Sequence, residues 1–229
     1  MLEQELYTMR DLRLARSLIE AFGWAILASA GEGGDPVVSH LPLLLDHEPR
    51  DGAGAPLSVV SHVANADAEL HHLGTSHSLV VVQGPNGYIS PAWYGPGSWV
   101  PTWNYVTVHL HGTCQLLDPE ETFEVLGRTV EHYERQYGSG WRLAGSEGYA
   151  RRIAGGITGF RLQAERVVLK AKLSQDKPPG VASAVIEELE RSGRPHAPLL
   201  ASWMRLGQQP RHADGATEVA PDEAGAPPG

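Results

Sequence analysis

Residues 104–117 read NYVTVHLHGTCQLL, and their first half alternates apolar and polar side chains with a period of two. That alternation sends successive side chains to opposite faces of a sheet, so the segment is a long strand with one buried face. WAILASA, VVSHLPLLLD, residues 57–62 (LSVVSH) and residues 78–83 (SLVVVQ) are further short apolar runs rich in β-branched residues. GEGGDP joins the first two as a hairpin connection, and GITGFRLQAERVVLKAKLS supplies one or two more strands. Six or seven strands at such close spacing predict an antiparallel barrel, closed or partly closed. Helices fall around it. Residues 10–22 form one, with Asp11 as N-cap and Gly23 as stop, and VANADAELHHLG forms a short one. Residues 119–137 open with Pro119 and acids, residues 147–154 add a short helix, and PPGVASAVIEELERSG runs from proline to glycine. The predicted fold class is α+β, mainly β: a barrel with peripheral helices.

Other classes find no support. No GxGxxG follows a strand and no GxxxxGK[ST] occurs, so neither a Rossmann nor a P-loop nucleotide site is predicted. The 229 residues, 41% hydrophobic, suffice for a single large core, which we place in residues 1–206. The tail from 207, with almost no large apolar residues, is expected to be disordered. A net charge of −9, without helix-turn-helix or zinc-finger spacing, argues against direct nucleic-acid binding. The lone Cys114 suits a reducing cytoplasm and a buried site, and no apolar stretch of membrane-spanning length or signal-peptide pattern occurs.

Histidines are the first candidates for chemistry. His71, His72 and His77 lack the three- or four-residue spacing of helical metal ligands. His109 and His111 share one strand face and read as a cross-strand pair. His40 and His62 end apolar strands, where an imidazole serves equally as a structural hydrogen-bonder or as a ligand-facing group. No GxSxG elbow supports a serine hydrolase. Residues 170–177, KAKLSQDK, are the densest basic cluster and end a strand; Lys172, Ser174 and Gln175 are suitable donors to an anion. Tyr88, Tyr105, His109 and Lys172 could each move a proton, and each has a structural alternative.

Between the strands at 78–83 and 104–117 lies QGPNGYISPAWYGPGSWVPTW. Tyr88, Trp93, Tyr94, Trp99 and Trp103 crowd this stretch, and Pro85, Pro91 and Pro101 stiffen it. On composition it is a rigid loop over a barrel end.

SHLPLLLD, the strand ending in His62, QGPNGYISPAWY, VPTWNY with VHLHG behind it, GITGFRL and KAKLSQDKPP occur together in this order. In this the chain resembles the PaiB-like proteins, known as FMN-binding negative transcriptional regulators, over roughly residues 1–206. The resemblance implies an FMN-binding split barrel, a six-stranded antiparallel barrel, and a homodimer with cofactor pockets at the interface. The implied pocket comprises His62, Gln83, Gly84, Pro85, Tyr88, Ser90, Trp93 and Trp103. The isoalloxazine would lie near Gly84–Trp93, and the phosphate near Lys172, Ser174 and Gln175. The implied role is a small flavin-dependent oxidoreductase or a flavin-linked regulator. Asn65 and Asn86 stand where the family usually carries a cation, Arg and His respectively. A related branch, the piperazate synthases, binds haem b and forms an N–N bond; there a histidine equivalent to His62 looks like the axial iron ligand. Both cofactors therefore remain open at this level, as does a regulator without catalysis.

Overall fold

The structure, a computed structural model, describes residues 1–46, 56–138 and 140–208. Its strands are β1 (Thr8–Met9), β2 (Trp24–Ala30), β3 (Pro36–Pro42), β4 (Leu44–Leu45), β5 (Ser58–Ala64), β6 (His77–Ile89), β7 (Thr102–Leu116), β8 (Ile157–Gln163) and β9 (Arg166–Lys172). Its helices are α1 (Leu12–Ala21), α2 (Asn65–Leu70), α3 (Pro119–Tyr137), α4 (Glu147–Ala154), α5 (Pro179–Arg191) and α6 (Ala197–Gln208).

Each expected helix is present, and two of them start at side-chain caps. The Asp11 carboxylate accepts from the Arg13 amide at the start of α1. Asp118 and Glu121 form a reciprocal capping box at the start of α3. The single run VVSHLPLLLD is divided at Leu43 into β3 and β4; the Leu43 amide donates to the Gly23 carbonyl at 2.6 Å, one step beyond the Trp24–Pro42 pair. The strand expected over 78–83 runs on to Ile89, so the first part of the aromatic stretch is strand rather than loop. α6 ends at Gln208, two residues beyond the expected domain end; the rest of the tail lies outside the described residues.

The strands form one sheet in the order β3-β2-β6-β7-β8-β5-β4, with β9 beside β7 and β1 beside β9. Among the described residues the strand pairings are antiparallel. β7 divides the wall: it pairs with β9 over Tyr105–His111 and with β8 over Cys114–Leu116. β3 packs beside β5, bringing the two flanks together. This is the split barrel, built from nine strands of which β1 and β4 are two-residue pieces.

The period of two separates the faces. Leu41, Ala25, Val82, Val108 and Leu169 are in register across five strands, and none is more than 2% exposed. One residue along, His40, Ile26, Val81, His109 and Val168 form the matching outer row. Burial of each large aliphatic in the inner row contributes about 1.5–3 kcal/mol. One end of the core is closed by α5 and α6 through Val185, Ile186, Leu189, Leu200, Ala201 and Met204. α3 instead covers a separate small cluster, packing Val125 against Leu44, Val60 and Leu117. Among the described residues no helix is long and apolar enough to cross a membrane.

Candidate functional site

The register of β6 shifts between Gln83 and Asn86: Gln83 opposes Thr107 and Asn86 opposes Tyr105. One extra residue on β6 makes this a bulge. It requires Gly84, since a Cβ there would lie 2.5 Å from Leu18 and 3.1 Å from the Val106 carbonyl. Beyond the bulge Asn86 and Tyr88 return to the outer face, while Pro85 and Ile89 are buried. Asn86 opposes Tyr105, and Tyr105 opposes Lys172 on β9. Tyr88 opposes Trp103, their rings meeting edge to face at 6.2 Å.

That outer strip is open and chemically mixed. Tyr88 is 39% and Trp103 55% exposed. The Lys172 ammonium donates to the Thr102 hydroxyl beside them. Arg194, from the α5–α6 connection, donates to the Tyr88 carbonyl at 3.4 Å and lies 5.3 Å over the Trp93 ring. Ser90 is occupied as the cap of a short 3₁₀ turn, Pro91–Tyr94, accepting from the Ala92 amide. The strip thus brings Gln83, Gly84, Pro85, Tyr88, Trp93, Trp103 and Lys172 to one region. Arg194 joins them without any sequence signal, lying in a connection between helices.

Ser174 and Gln175 follow Lys172 in the chain but turn inward. Ser174 is 2% exposed at φ 63°, and its hydroxyl accepts from the Asn104 amide at 2.9 Å. The Gln175 carboxamide closes the turn at both ends, accepting from the Leu173 amide at 2.6 Å and donating to the Ala171 carbonyl at 2.5 Å. These two residues hold the end of β9 that presents Lys172.

His62 lies on β5, opposite Gly159 of β8 and outside the β6–β7–β9 register. It shares a strand face with Val60, the face packed under α3. Its Nδ1 is buried without a hydrogen-bond partner, and burial lowers its pKa. No hydrogen bond fixes the tautomer of the ring at Nδ1. Asn65 ties the start of α2 to β8: its Nδ2 donates to the Gly155 carbonyl at 2.8 Å and its Oδ1 accepts from Thr158 at 2.9 Å. His71 is fully buried between Ser29 (Nδ1, 2.8 Å) and Ser39 (Nε2, 3.0 Å), a clamp joining β2 to β3. Cys114 is buried with its thiol pushed up to about 11 by burial, an inert core residue at neutral pH.

A cleft of about 740 Å³ opens beside the bulge, with Gln83, Gly84 and Asn86 as one wall. Phe22 and Trp24 line another side, and Tyr133, Tyr137 and His196 complete it. The sequence reading missed this second wall because α3 and the α5–α6 connection are distant in the chain.

Comparison with known proteins gives a concordant result. Residues 1–166 match the family model described as "Putative FMN-binding domain". The protease synthase and sporulation protein PAI 2 of Bacillus subtilis is 30% identical over 176 residues, covering 76% of this chain and 82% of that protein. A conserved hypothetical protein of Mycobacterium tuberculosis superposes with a TM-score of 0.55 at 12% identity, over 78% of this chain and 94% of that one. A FAD and heme binding protein from Mycobacterium smegmatis gives 0.52 at 14% identity, over 78% and 79%. The last two share the fold. The chain belongs to the FMN-binding domain family, PaiB-like in sequence and split-barrel in architecture.

Proposed function

We propose that this protein binds FMN along the outer strip from Gln83 to Trp103, as a cytoplasmic homodimer acting as a small flavin-dependent oxidoreductase or flavin-linked regulator. The observation that carries the reading is the pairing of exposed aromatic rings, Tyr88 and Trp103, with two cations, Lys172 and Arg194. FMN is flat, aromatic and anionic at one end, and such a surface matches both properties. The bulge at Gly84 and Pro85 fixes the approach of the β6 backbone, and Trp93 holds Arg194 in place. The flavin, once bound, supplies the electron-transfer chemistry; the chain supplies binding, orientation and exclusion of water. The homodimer is supported by the outer row: Val38 is 54% exposed, and Ile26, Leu79 and Val81 are half-buried on the same uncovered face. Purified protein is expected to carry, or take up, FMN with saturable quenching of flavin fluorescence. Absence of binding at high micromolar FMN would refute the reading.

His62 favours a second reading, in which haem b replaces FMN and His62 is the axial ligand. A half-buried imidazole whose pKa is lowered by burial is a suitable donor to iron. A Soret band that moves in His62→Ala would establish it, and a colourless protein after expression with a haem precursor would eliminate it. The M. smegmatis fold neighbour is named for binding FAD and heme, which lends support to weighing a haem beside a flavin here.

A further inference from the structure

The cleft beside the bulge touches the strip at Gln83 and Gly84 but lacks its cations. Among the described residues, no carboxylate, lysine or arginine lines it, although the chain carries 45 such residues, 18 basic and 27 acidic. Its volume of about 740 Å³ lies within the ordinary range for small-ligand sites, about 300–1,000 Å³. Two of its walls are aromatic. Tyr133 and Tyr137 lie nearly parallel, 10° apart with centroids at 6.2 Å, and Tyr137 is 73% exposed, leaving ring surface uncovered. Trp24, 65% exposed, stands at the adjoining edge. The Tyr133 wall is fixed by a close approach: its hydroxyl donates to the Leu43 carbonyl at 3.4 Å, where a Cβ on Gly23 would meet it at 2.1 Å. The remaining wall supplies carboxamides. Gln83 is exposed, and Asn86 uses one amide hydrogen on the Gly84 carbonyl at 3.3 Å.

We propose that this cleft is a separate binding site for an uncharged, planar heteroaromatic molecule. The ring would stack against Tyr137 and Trp24, and a lactam- or amide-like edge would pair with Asn86. Carboxamides match an edge that both donates and accepts. An anionic ligand would lose hydration and find no lysine or arginine among the described lining, where His196 is the one imidazole. The site borders the proposed cofactor strip at Gln83 and Gly84 and through Asn86, which opposes Tyr105 in the row that ends at Lys172.

The test is calorimetric titration of the full chain with 2-quinolinone, a neutral planar lactam, and with quinoline-2-carboxylate, its anionic counterpart. One saturable site per chain is expected for the lactam, with the carboxylate at least about tenfold weaker. Tyr137→Ala, at an exposed position that leaves the core intact, should weaken the lactam about tenfold while the FMN titration stays unchanged. No saturation by millimolar lactam, equal affinity for the carboxylate, or insensitivity to Tyr137→Ala would overturn the site. Competition between FMN and 2-quinolinone would overturn it too, by making the cleft the flavin's own pocket, and would leave the FMN reading standing. Binding of lactam by a chain that takes no FMN would do the reverse.

Discussion

The strip from Gln83 to Trp103 and the turn from Leu173 to Lys177 meet at Lys172, and both are rich in groups able to bind a cofactor. Their side chains are in opposite states. In the turn, Ser174 and Gln175 direct their polar atoms to partners inside the protein. In the strip, Tyr88 and Trp103 present their rings to solvent, and Gln83 is exposed. The backbone makes the difference. Ser174 adopts a left-handed conformation that aims its hydroxyl at Asn104 in the barrel end, beneath α6. The bulge on β6 instead restores Asn86 and Tyr88 to the outer face. A donor-rich composition therefore does not establish that the donors are available.

The largest effect should come from the turn. Asn104 is fully buried, donates to Ser174, and has an Oδ1 without a partner. Ser174→Val leaves the Asn104 amide without its oxygen acceptor and places a β-branched residue at positive φ, so a loss of about 2–3 kcal/mol in urea unfolding is expected. FMN affinity of the folded variant should not change; a loss of affinity beyond the loss of stability would assign the turn to the site. Lys172→Ala should behave in the opposite way. Removing a charge-assisted contact to phosphate weakens FMN about tenfold, roughly 1.5 kcal/mol, with the urea midpoint almost unmoved. Equal FMN binding by the two proteins would place the phosphate elsewhere.

The same contrast explains what could be read from the sequence. Strands and helices were legible wherever period and capping agreed, as in β7 and in α3 with Pro119 and Asp118. β6 beyond Gln83 was obscured because Gly and Pro ordinarily end strands, and here they build a bulge instead. α6 has its buried residues Ala197, Leu200, Ala201 and Met204 at helical spacing, a signal available but weakened by the alanines. Tyr88 and Trp103 are candidates through the family resemblance, since their crowding alone reads as a rigid loop, and the structure exposes both rings. Arg194, Trp24, Tyr133 and Tyr137 were not legible, since only the tertiary fold brings them to the strip and cleft. The inward turn of Ser174 was equally hidden, because it depends on one backbone angle rather than on residue type.

A third, smaller effect is expected with pH, and it belongs to the outer face. His109 and His111 have lowered pKa values, through burial first and then through nearby positive charge that includes Arg166. His111 Nε2 lies 3.0 Å from Arg166 Nη2, so the nitrogen accepts, which only an unprotonated ring nitrogen can do. A lowered folded-state pKa means the unfolded chain binds more protons, so stability is complete above the unfolded value of about 6.5 and declines as pH falls below it. Urea midpoints at about pH 7.5 and 5.5 should therefore differ in the wild type. His109→Gln with His111→Gln should flatten the slope, His62 and His71 supplying the remainder. Ser174→Val should shift both midpoints and keep the slope. A slope unchanged in the double glutamine variant would locate the titration elsewhere.

The smallest effect separates architecture from binding within the strip itself. Tyr88 and Trp103 are directly opposite across β6 and β7, 6.2 Å apart at 72°, a geometry worth about 0.5–1 kcal/mol of coupling in a stability cycle. Each ring is over a third exposed, so removing either costs little core burial. If the pair served the sheet alone, Tyr88→Ala and Trp103→Ala would couple in urea unfolding and leave FMN titration untouched. If the rings receive the flavin, each substitution must also weaken FMN, and the pair must be coupled in that titration, because the loss of one ring changes the surface the other offers. The same four proteins, measured once for stability and once for FMN affinity, therefore decide whether the open face of the barrel is exposed for a cofactor.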